Sequence, residues 1–471
     1  MTGAPPSRTS SLRALLPLAA LVGVGVAFGL GPVIDNDLGF HLQTGAWIRA
    51  HHAFPQTDPF SQDGAQRIYL AYGWLFDLLV SGLHSAFGLR GLVLYRSVLA
   101  GALGAALWRL ARARSGNSAF VPALMALVAM RPCVTERPWL FTLLFTALTL
   151  DALIRLRDSK LRHAWHLLPI FVLWVNVHVQ FIYGLALVGL ACVCALWERR
   201  ENFRHLVLLT LACTASTLLN PYGWRIWATI AHLARQTSVF GQVLELSPPT
   251  FVDPEDWVIL AMSLVGLAMM VRQKPRPKFE LLAMLMALGL GARAERDTWL
   301  PAMVALPMIA ELRVPLPELP VAARTALQLL ATAVATLAFT VLVAAALAQR
   351  EPKLQAALAE SFPVAAAEKI RESHWSGPLY NDFNWGGFLI WQLPEQPVAM
   401  DGRTNVYADA EIAAHLHTWR GLDTPATWDP RLKAAKLVLA SLDAPLTAQL
   451  RESPDFAVAY EDAIAVVFVR R

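Results

Sequence analysis

Charge is what this chain lacks most. Asp, Glu, Lys and Arg make up 16% of its 471 residues, against about a quarter in soluble globular proteins, which excludes an ordinary soluble enzyme. Cysteine is also sparse. Cys133, Cys192, Cys194 and Cys213 contain no C-x-x-C pair and read as small core residues, so a disulfide scaffold is excluded and no metal or redox motif stands out. No basic soluble face is evident, so the net charge of +5 reports on topology and no nucleic-acid partner is expected. What the chain has instead is apolar residues, 56% of the total, gathered in runs that recur along most of its length. That composition defines a polytopic α-helical membrane protein and excludes a disordered chain.

Apolar runs at Leu15–Ile34, Leu92–Leu110, Phe120–Val134, Trp139–Ile154, Leu167–Val177, Phe181–Trp197, Leu206–Leu219, Trp257–Val271, Phe279–Ala292, Trp299–Ile309 and Leu327–Leu347 predict about eleven spans, several needing flanking residues. Arg8 and Arg13 precede the first run as in a signal sequence. No A-x-A-like site follows before Asp35, so a retained span is expected. Trp74–Phe87 is apolar too, but as a span it would put Arg109, Arg112 and Arg114 outside, so it is expected to lie flat on the membrane. The loops with Arg109/Arg112/Arg114, Arg155/Arg157/Lys160/Arg162, Arg199/Arg200/Arg204 and Arg272/Lys274/Arg276/Lys278 are then cytoplasmic.

This parity predicts two domains: a transmembrane domain over 1–348, with surface helices in a first outer loop at 35–90, and an extracytoplasmic domain over 349–471. The second reads as a small α/β domain. Strands are expected at Leu437–Ala440, Phe456–Tyr460 and Ile464–Val469, with helices at Val364–Glu372 and Pro445–Glu452.

The same parity puts the unusual polar strings on the outer side: DNDLGFHLQTGAWI from Asp35, TERP from Thr135, WVNVHVQ from Trp174, LNPYG from Leu219, ELSPP from Glu245 and RAERD from Arg293. Such a rim looks like a site. Asp35 and Asp37 are candidate general bases for an acceptor hydroxyl or amine, with a structural role as the alternative for each; Asp37 is well placed to cap the helix that follows, whose Leu38, Leu42 and Ile48 would face lipid. Arg137, Arg293 and Arg296 could grasp a phosphate in bidentate fashion, or pair with Glu136, Glu295 or Asp297. Asn176 and His178 could bind a pyrophosphate or satisfy helix-end carbonyls. A divalent metal could draw on Asp35, Asp37, His41 and His178, but no ligand spacing marks one.

The strings together resemble the GT-C superfamily of membrane glycosyltransferases: the first-loop acids, H-L-x-T-G-x-W-I, P-x-T-D-P-F-S from Pro55, Gly73–Phe87, ERPWLFT, WVNVH, LNPYG, RAERD, and the tail strings NDFNWGGFLIW from Asn381 and MDGRTNVY from Met400. They look like a bacterial group of GT-C-type proteins with a C-terminal soluble domain. The resemblance implies a first-loop acid as base, falling on Asp35 or Asp37, a polyprenyl-phosphate-linked sugar donor, and a tail that forms or covers the acceptor site. D-N-D stands here where related transferases carry a D-E pair. The expected place is the bacterial cytoplasmic membrane, with the N-terminus inside.

In the tail, Gly386–Gly387 is expected to permit a tight backbone turn, and Asp401-Gly402-Arg403 a strand-end turn. Asp382, Asp401 and Arg403 are acceptor candidates, although an Asp–Arg salt bridge fixing the loop would explain the last two equally well. The expected activity is inverting transfer of a sugar to a lipid, glycan or protein acceptor. The rivals are a non-catalytic partner or scaffold for envelope-assembly proteins, and a lipid-linked sugar transporter. The spans carry little internal charge, which disfavours the transporter.

Overall fold

The apolar runs fold into helices, and the chain's own breakers end them. The computed structural model describes residues 8–114, 119–158, 162–236, 244–312, 340–341, 344 and 348–471. Helix α1 (Arg8–Phe28) stops before Gly29, Gly31 and Pro32 instead of reaching Ile34, because a residue preceding proline is driven out of the α region. Helix α5 (Phe120–Ala129) likewise yields to a 3-10 turn at Arg131–Cys133 containing Pro132, short of the expected Val134. The described helices that are long and apolar enough to cross a membrane are Leu89–Ala111, Trp139–Arg157 and Pro254–Arg272. The remaining apolar helices are shorter, and the expected span Leu327–Leu347 lies largely outside the described residues.

The chain forms two units. The first comprises Met1–Gly31, Val93–Leu219 and Glu245–Gln349. It holds α1, most of α4 (Leu89–Ala111), α5, α6 (Trp139–Arg157), α7 (Leu167–Val177), α8 (Phe181–Trp197), α9 (Phe203–Ser216), α11 (Pro254–Arg272), α12 (Lys278–Arg293) and α13 (Trp299–Ile309). Small residues set a close crossing. A Cβ on Gly25 would lie 2.2 Å from the Ala100 carbonyl oxygen, and one on Gly104 would lie 2.5 Å from that of Leu21, so α1 and α4 meet backbone to backbone.

Ion pairs then join one set of helix ends. Arg109 and Arg155 share Asp151 at 2.6 Å each, Arg157 reaches Glu198 at 2.7 Å, and Arg114 joins Glu280 at 2.7 Å to Glu311 at 2.6 Å. The C-terminal ends of α4, α6, α8 and α13 and the start of α12 are therefore tied together.

The second unit comprises Pro32–Leu92, Asn220–Leu244 and Arg350–Arg471. Residues 350–471 therefore do not cluster alone: the first loop and the segment with α10 (Arg225–Arg235) join them. The loop's helices are α2 (Leu38–His51) and α3 (Trp74–Phe87). Leu38, Leu42 and Ile48 are buried inside this unit instead of facing lipid. A Cβ on Gly45 of α2 would lie 2.1 Å from the Asp77 carbonyl oxygen, which shows how closely α3 packs.

The tail adds α14 (Glu351–Ser361), α15 (Val364–Glu372), α16 (Gly386–Gln392), α17 (Asp409–Trp419), α18 (Pro430–Ala434) and α19 (Pro445–Glu452) around a four-stranded sheet. The strands β1 (Leu379–Asn381), β2 (Leu437–Ser441), β3 (Phe456–Glu461) and β4 (Ala465–Arg470) are ordered β1-β2-β4-β3, with β1 parallel to β2 and the other pairs antiparallel. The three expected strands are β2, β3 and β4. Strand β1 is too short to show a period. Tyr380, Trp419, Leu432, Val438, Leu446 and Phe468 belong to the core beneath.

His415, in α17, is fully buried beside Tyr380, with Nδ1 3.4 Å from the Asp429 carboxylate. Burial pushes its pKa from 6.5 down to about 4. The folded value lies below the unfolded one, so the stabilisation is full above pH 6.5 and is lost as pH falls towards 4, by up to ~3 kcal/mol. Thermal unfolding at pH 7, 5.5 and 4 should therefore show a falling Tm, with a flatter profile in His415→Gln. An unchanged slope in the variant would remove His415 as the cause.

Candidate functional site

The first-loop acids have different local roles. The Asp35 carboxylate accepts the Asp37 backbone N–H at 2.9 Å, and the Asp35 carbonyl accepts that of Leu38 at 3.3 Å, closing the turn into α2. Asp37 occupies the N-cap position with helical backbone angles, φ −90° and ψ −15°, and its side chain accepts no capping hydrogen bond. The capping role expected of Asp37 is thus not exercised. Its carboxylate lies instead against the tail: a Cβ on Gly402 would come 2.0 Å from the Asp37 Oδ1.

Glycines make that approach possible. A Cβ on Gly387 would lie 2.4 Å from the Asn36 carbonyl oxygen, one on Gly39 2.1 Å from that of Gly387, and one on Gly386 2.2 Å from that of Met400. Gly386 has helical angles, φ −54° and ψ −47°. The pair therefore does not form the expected tight turn; it opens α16 and is small because other backbone touches it. Asn381 links the two tail strings, donating to the Met400 carbonyl at 2.8 Å and accepting from the Ala399 amide at 2.9 Å.

Asp401 and Arg403, on either side of Gly402, are buried with Asp58 of the first loop. Arg403 donates to Asp401 through Nε at 2.8 Å and Nη2 at 2.7 Å, and to Asp58 at 2.7 and 3.2 Å. Tyr407 donates to Asp401 at 2.6 Å. The rings of Tyr69 and Phe60 lie 4.8 and 5.1 Å from the guanidinium. Burial alone would raise the Asp58 carboxyl, but Arg403, Ser61 and the Phe60 amide hold it below its ordinary range. Arg403 and Asp401 thus form the internal salt bridge that the sequence allowed as an alternative to substrate contact, extended by Asp58 from the D-P-F-S string. Further bonds tie this loop to the tail: Arg67 forks to Glu411 at 2.8 Å twice, and the Gln62 amide reaches the Val398 carbonyl at 2.9 Å.

Asp382 stands apart. It accepts the Asn384 amide N–H at 2.8 Å, burial lifts its pKa above the ordinary range, and it lines a cavity of about 470 Å³ with Phe383, Asn384, Trp419, Arg420 and Asp443.

The remaining candidates belong to the first unit. Arg137 donates to Glu245 at 2.6 Å and lies 5.2 Å from the Trp139 ring, while Glu136, its expected partner, is bound by Arg96. Arg293 and Arg296 precede Asp297 and act on it electrostatically, and Asp297 accepts from Gln180 at 3.1 Å and Tyr183 at 2.8 Å. The Arg296 Nε is buried with no hydrogen-bond partner among the described residues. Asn176 donates to the Val172 and Leu219 carbonyls at 2.7 and 2.9 Å, and His178 Nδ1 lies 2.7 Å from the Thr142 hydroxyl.

In the second unit, His41 Nδ1 lies 2.5 Å from the buried Asp77. Among the described residues no three His, Cys, Asp or Glu side chains gather as metal ligands. Asp58, Tyr407, Gln180 and Tyr183 were not singled out by sequence reasoning. Asp58 lies in T-D-P-F-S, Gln180 ends W-V-N-V-H-V-Q and Tyr407 ends M-D-G-R-T-N-V-Y, so those strings carry a signal for three of them, and Tyr183 lies in none.

The fold belongs to a known class: it is similar to that of two solved oligosaccharyltransferase structures. An archaeal oligosaccharyltransferase, AglB from Archaeoglobus fulgidus, in complex with an inhibitory peptide and a dolichol-phosphate, matches with a TM-score of 0.59 at 11% identity over 92% of this chain and 70% of its own. The Archaeoglobus fulgidus oligosaccharyltransferase tethered to an acceptor peptide containing the NVT sequon matches with a TM-score of 0.52 at 11% identity over 92% and 69%. ArnT from Cupriavidus metallidurans bound to undecaprenyl phosphate covers 98% of both chains at 15% identity, with a TM-score of 0.49. No protein-family model and no curated protein matches the sequence.

Proposed function

We propose that this chain is a GT-C-type glycosyltransferase of the bacterial cytoplasmic membrane, transferring a sugar from a polyprenyl-phosphate donor to an extracytoplasmic lipid, glycan or protein acceptor. The observation that carries this reading is the Asp37 carboxylate, which does not cap its helix and lies against the Asp401–Gly402–Arg403 turn. Asp35 is engaged in the turn into α2, which favours Asp37 as the base. In the proposed step Asp37 takes the acceptor's proton, the freed oxygen or nitrogen attacks the anomeric carbon, and the carbon–oxygen bond to phosphate breaks with inversion. Polyprenyl phosphate departs with that electron pair. The dolichol-phosphate in the AglB complex supports a lipid-phosphate donor.

Incubating the purified full chain in lipid nanodiscs with polyprenyl-phosphate sugars and membrane extract tests the reaction. Release of polyprenyl phosphate that depends on the protein is expected. No release with any donor would favour the scaffold reading.

Arg137, Arg293 and Arg296 are proposed to bind the donor phosphate, with Arg296 foremost because Arg137 is committed to Glu245. Lysine keeps the charge but loses the bidentate fork, so Arg296→Lys should raise the donor KM about tenfold. Unchanged donor KM in all three Arg→Lys variants would shift the role to Asn176 or His178.

About eleven spans with an internal N-terminus would deliver residues 349–471 to the outer side. An alkaline phosphatase fusion after Arg471 should be active and a green fluorescent protein fusion dark; the converse would reverse the orientation.

A further inference from the structure

We infer that the Asp401–Gly402–Arg403 turn of the tail is the positioning element for the Asp37 carboxylate. The inference rests on the general-base reading of Asp37, and it assigns the tail a part in setting the geometry of the base besides any contact with acceptor.

Asp37 is not fixed by the amides of its own helix, which leaves its carboxylate to be set by what it touches. A Cβ at Gly402 would stand 2.0 Å from Oδ1, 3.1 Å from Cγ and 3.6 Å from Oδ2, so the Gly402 backbone lies directly against the carboxylate. Any side chain at this position would push the acid away.

A wall positions a side chain only if it is itself rigid. Gly402 is held from both neighbours: Asp401 accepts from the Arg403 backbone N–H at 2.9 Å, from the Arg403 guanidinium and from Tyr407, while Arg403 also forks to Asp58. Asp401 and Arg403 are 0% and 3% exposed. Three buried charges are a costly way to hold a turn, and apolar packing would do so at least as well. Their geometric effect is specific. Arg403 links the Gly402 turn to Asp58, on the same loop as Asp37, while Gly387 meets the Asn36 carbonyl beside it. The acid is therefore framed by its own loop and by two tail segments.

The test uses the full chain in nanodiscs, with transfer kinetics and the rate of carbodiimide modification of Asp37 and Asp35 read by mass spectrometry. Gly402→Ala should lower kcat about a hundredfold, as displacing a catalytic group by about 1 Å does, with donor KM within about twofold. It should also change the modification rate of Asp37 and leave that of Asp35 unchanged. A merely structural glycine would lower Tm without this split between kcat and KM.

Wild-type kcat and wild-type Asp37 modification in Gly402→Ala would overturn the proposal. If Asp37→Asn leaves transfer intact while Gly402→Ala still changes Asp37 modification, the base reading fails and the positioning contact stands. Should Gly402→Ala not fold, Asp58→Asn takes its place, being the same size and outside the contact with Asp37. A lower kcat at unchanged donor KM supports the proposal, and a lower Tm with unchanged kcat overturns it.

Discussion

Asp37→Asn should abolish transfer while leaving the protein folded. Removing a general base typically costs about two to four orders of magnitude in rate. The Asp37 side chain makes no capping hydrogen bond, so the amide, nearly the same size, removes proton-accepting capacity without unseating α2. Asp35→Asn keeps an oxygen that can accept the Asp37 amide, so its turn survives and its rate should fall by less than about tenfold. Measuring kcat and Tm of both variants decides the assignment. A dead Asp35→Asn beside an active Asp37→Asn would exchange the roles. Full activity in both single variants and in the double variant would end the enzyme reading.

Arg403→Ala should be the most destabilising substitution in the second unit. It would leave the Asp58 and Asp401 carboxylates buried without their cation, and breaking a buried pair by removing one partner typically costs about 3–5 kcal/mol. Acid should relieve part of this loss. In the wild type the folded pKa of Asp58 lies below 3.8, so the contribution of that carboxylate is full above pH 3.8 and is lost as pH falls further. In Arg403→Ala burial should instead lift the Asp58 carboxyl above its ordinary value, so the deficit against wild type should narrow on going from pH 7 to pH 4. Thermal unfolding at the two pH values checks the sign. A deficit that does not change with pH would mean that lost packing of the guanidinium against Tyr69 and Phe60, and not charge, governs the site.

Much of the local architecture was legible in advance because its causes are local. The Val364–Glu372 and Pro445–Glu452 stretches are helices as expected, and the three expected strands form the sheet with short β1 added at its edge. The helix ends at Phe28 and Ala129 were misplaced where the apolar runs continue towards or past a proline: composition marks an apolar run, while backbone sterics decide where helix stops. Leu38, Leu42 and Ile48 show the complementary failure. Their spacing correctly gave an apolar helix face, but the same face fits lipid or protein, and only the packing of α3 and the tail against α2 makes it core.

The sequence by itself determined the membrane class, the positions of the apolar helices and the identity of the chemically capable strings, because scarcity of charge, apolar periodicity and turn residues act within a few residues of one another. Tertiary structure alone decided which parts work together. It grouped 32–92 and 220–244 with 350–471, gave Asp35 and Asp37 different surroundings, paired Arg137 with Glu245, and joined Arg403 to Asp58 across 345 residues of chain. A buried ion pair depends on which charges are shut away from water together, and a glycine at a close approach depends on which backbone arrives. Neither is written in the neighbourhood of the residue concerned.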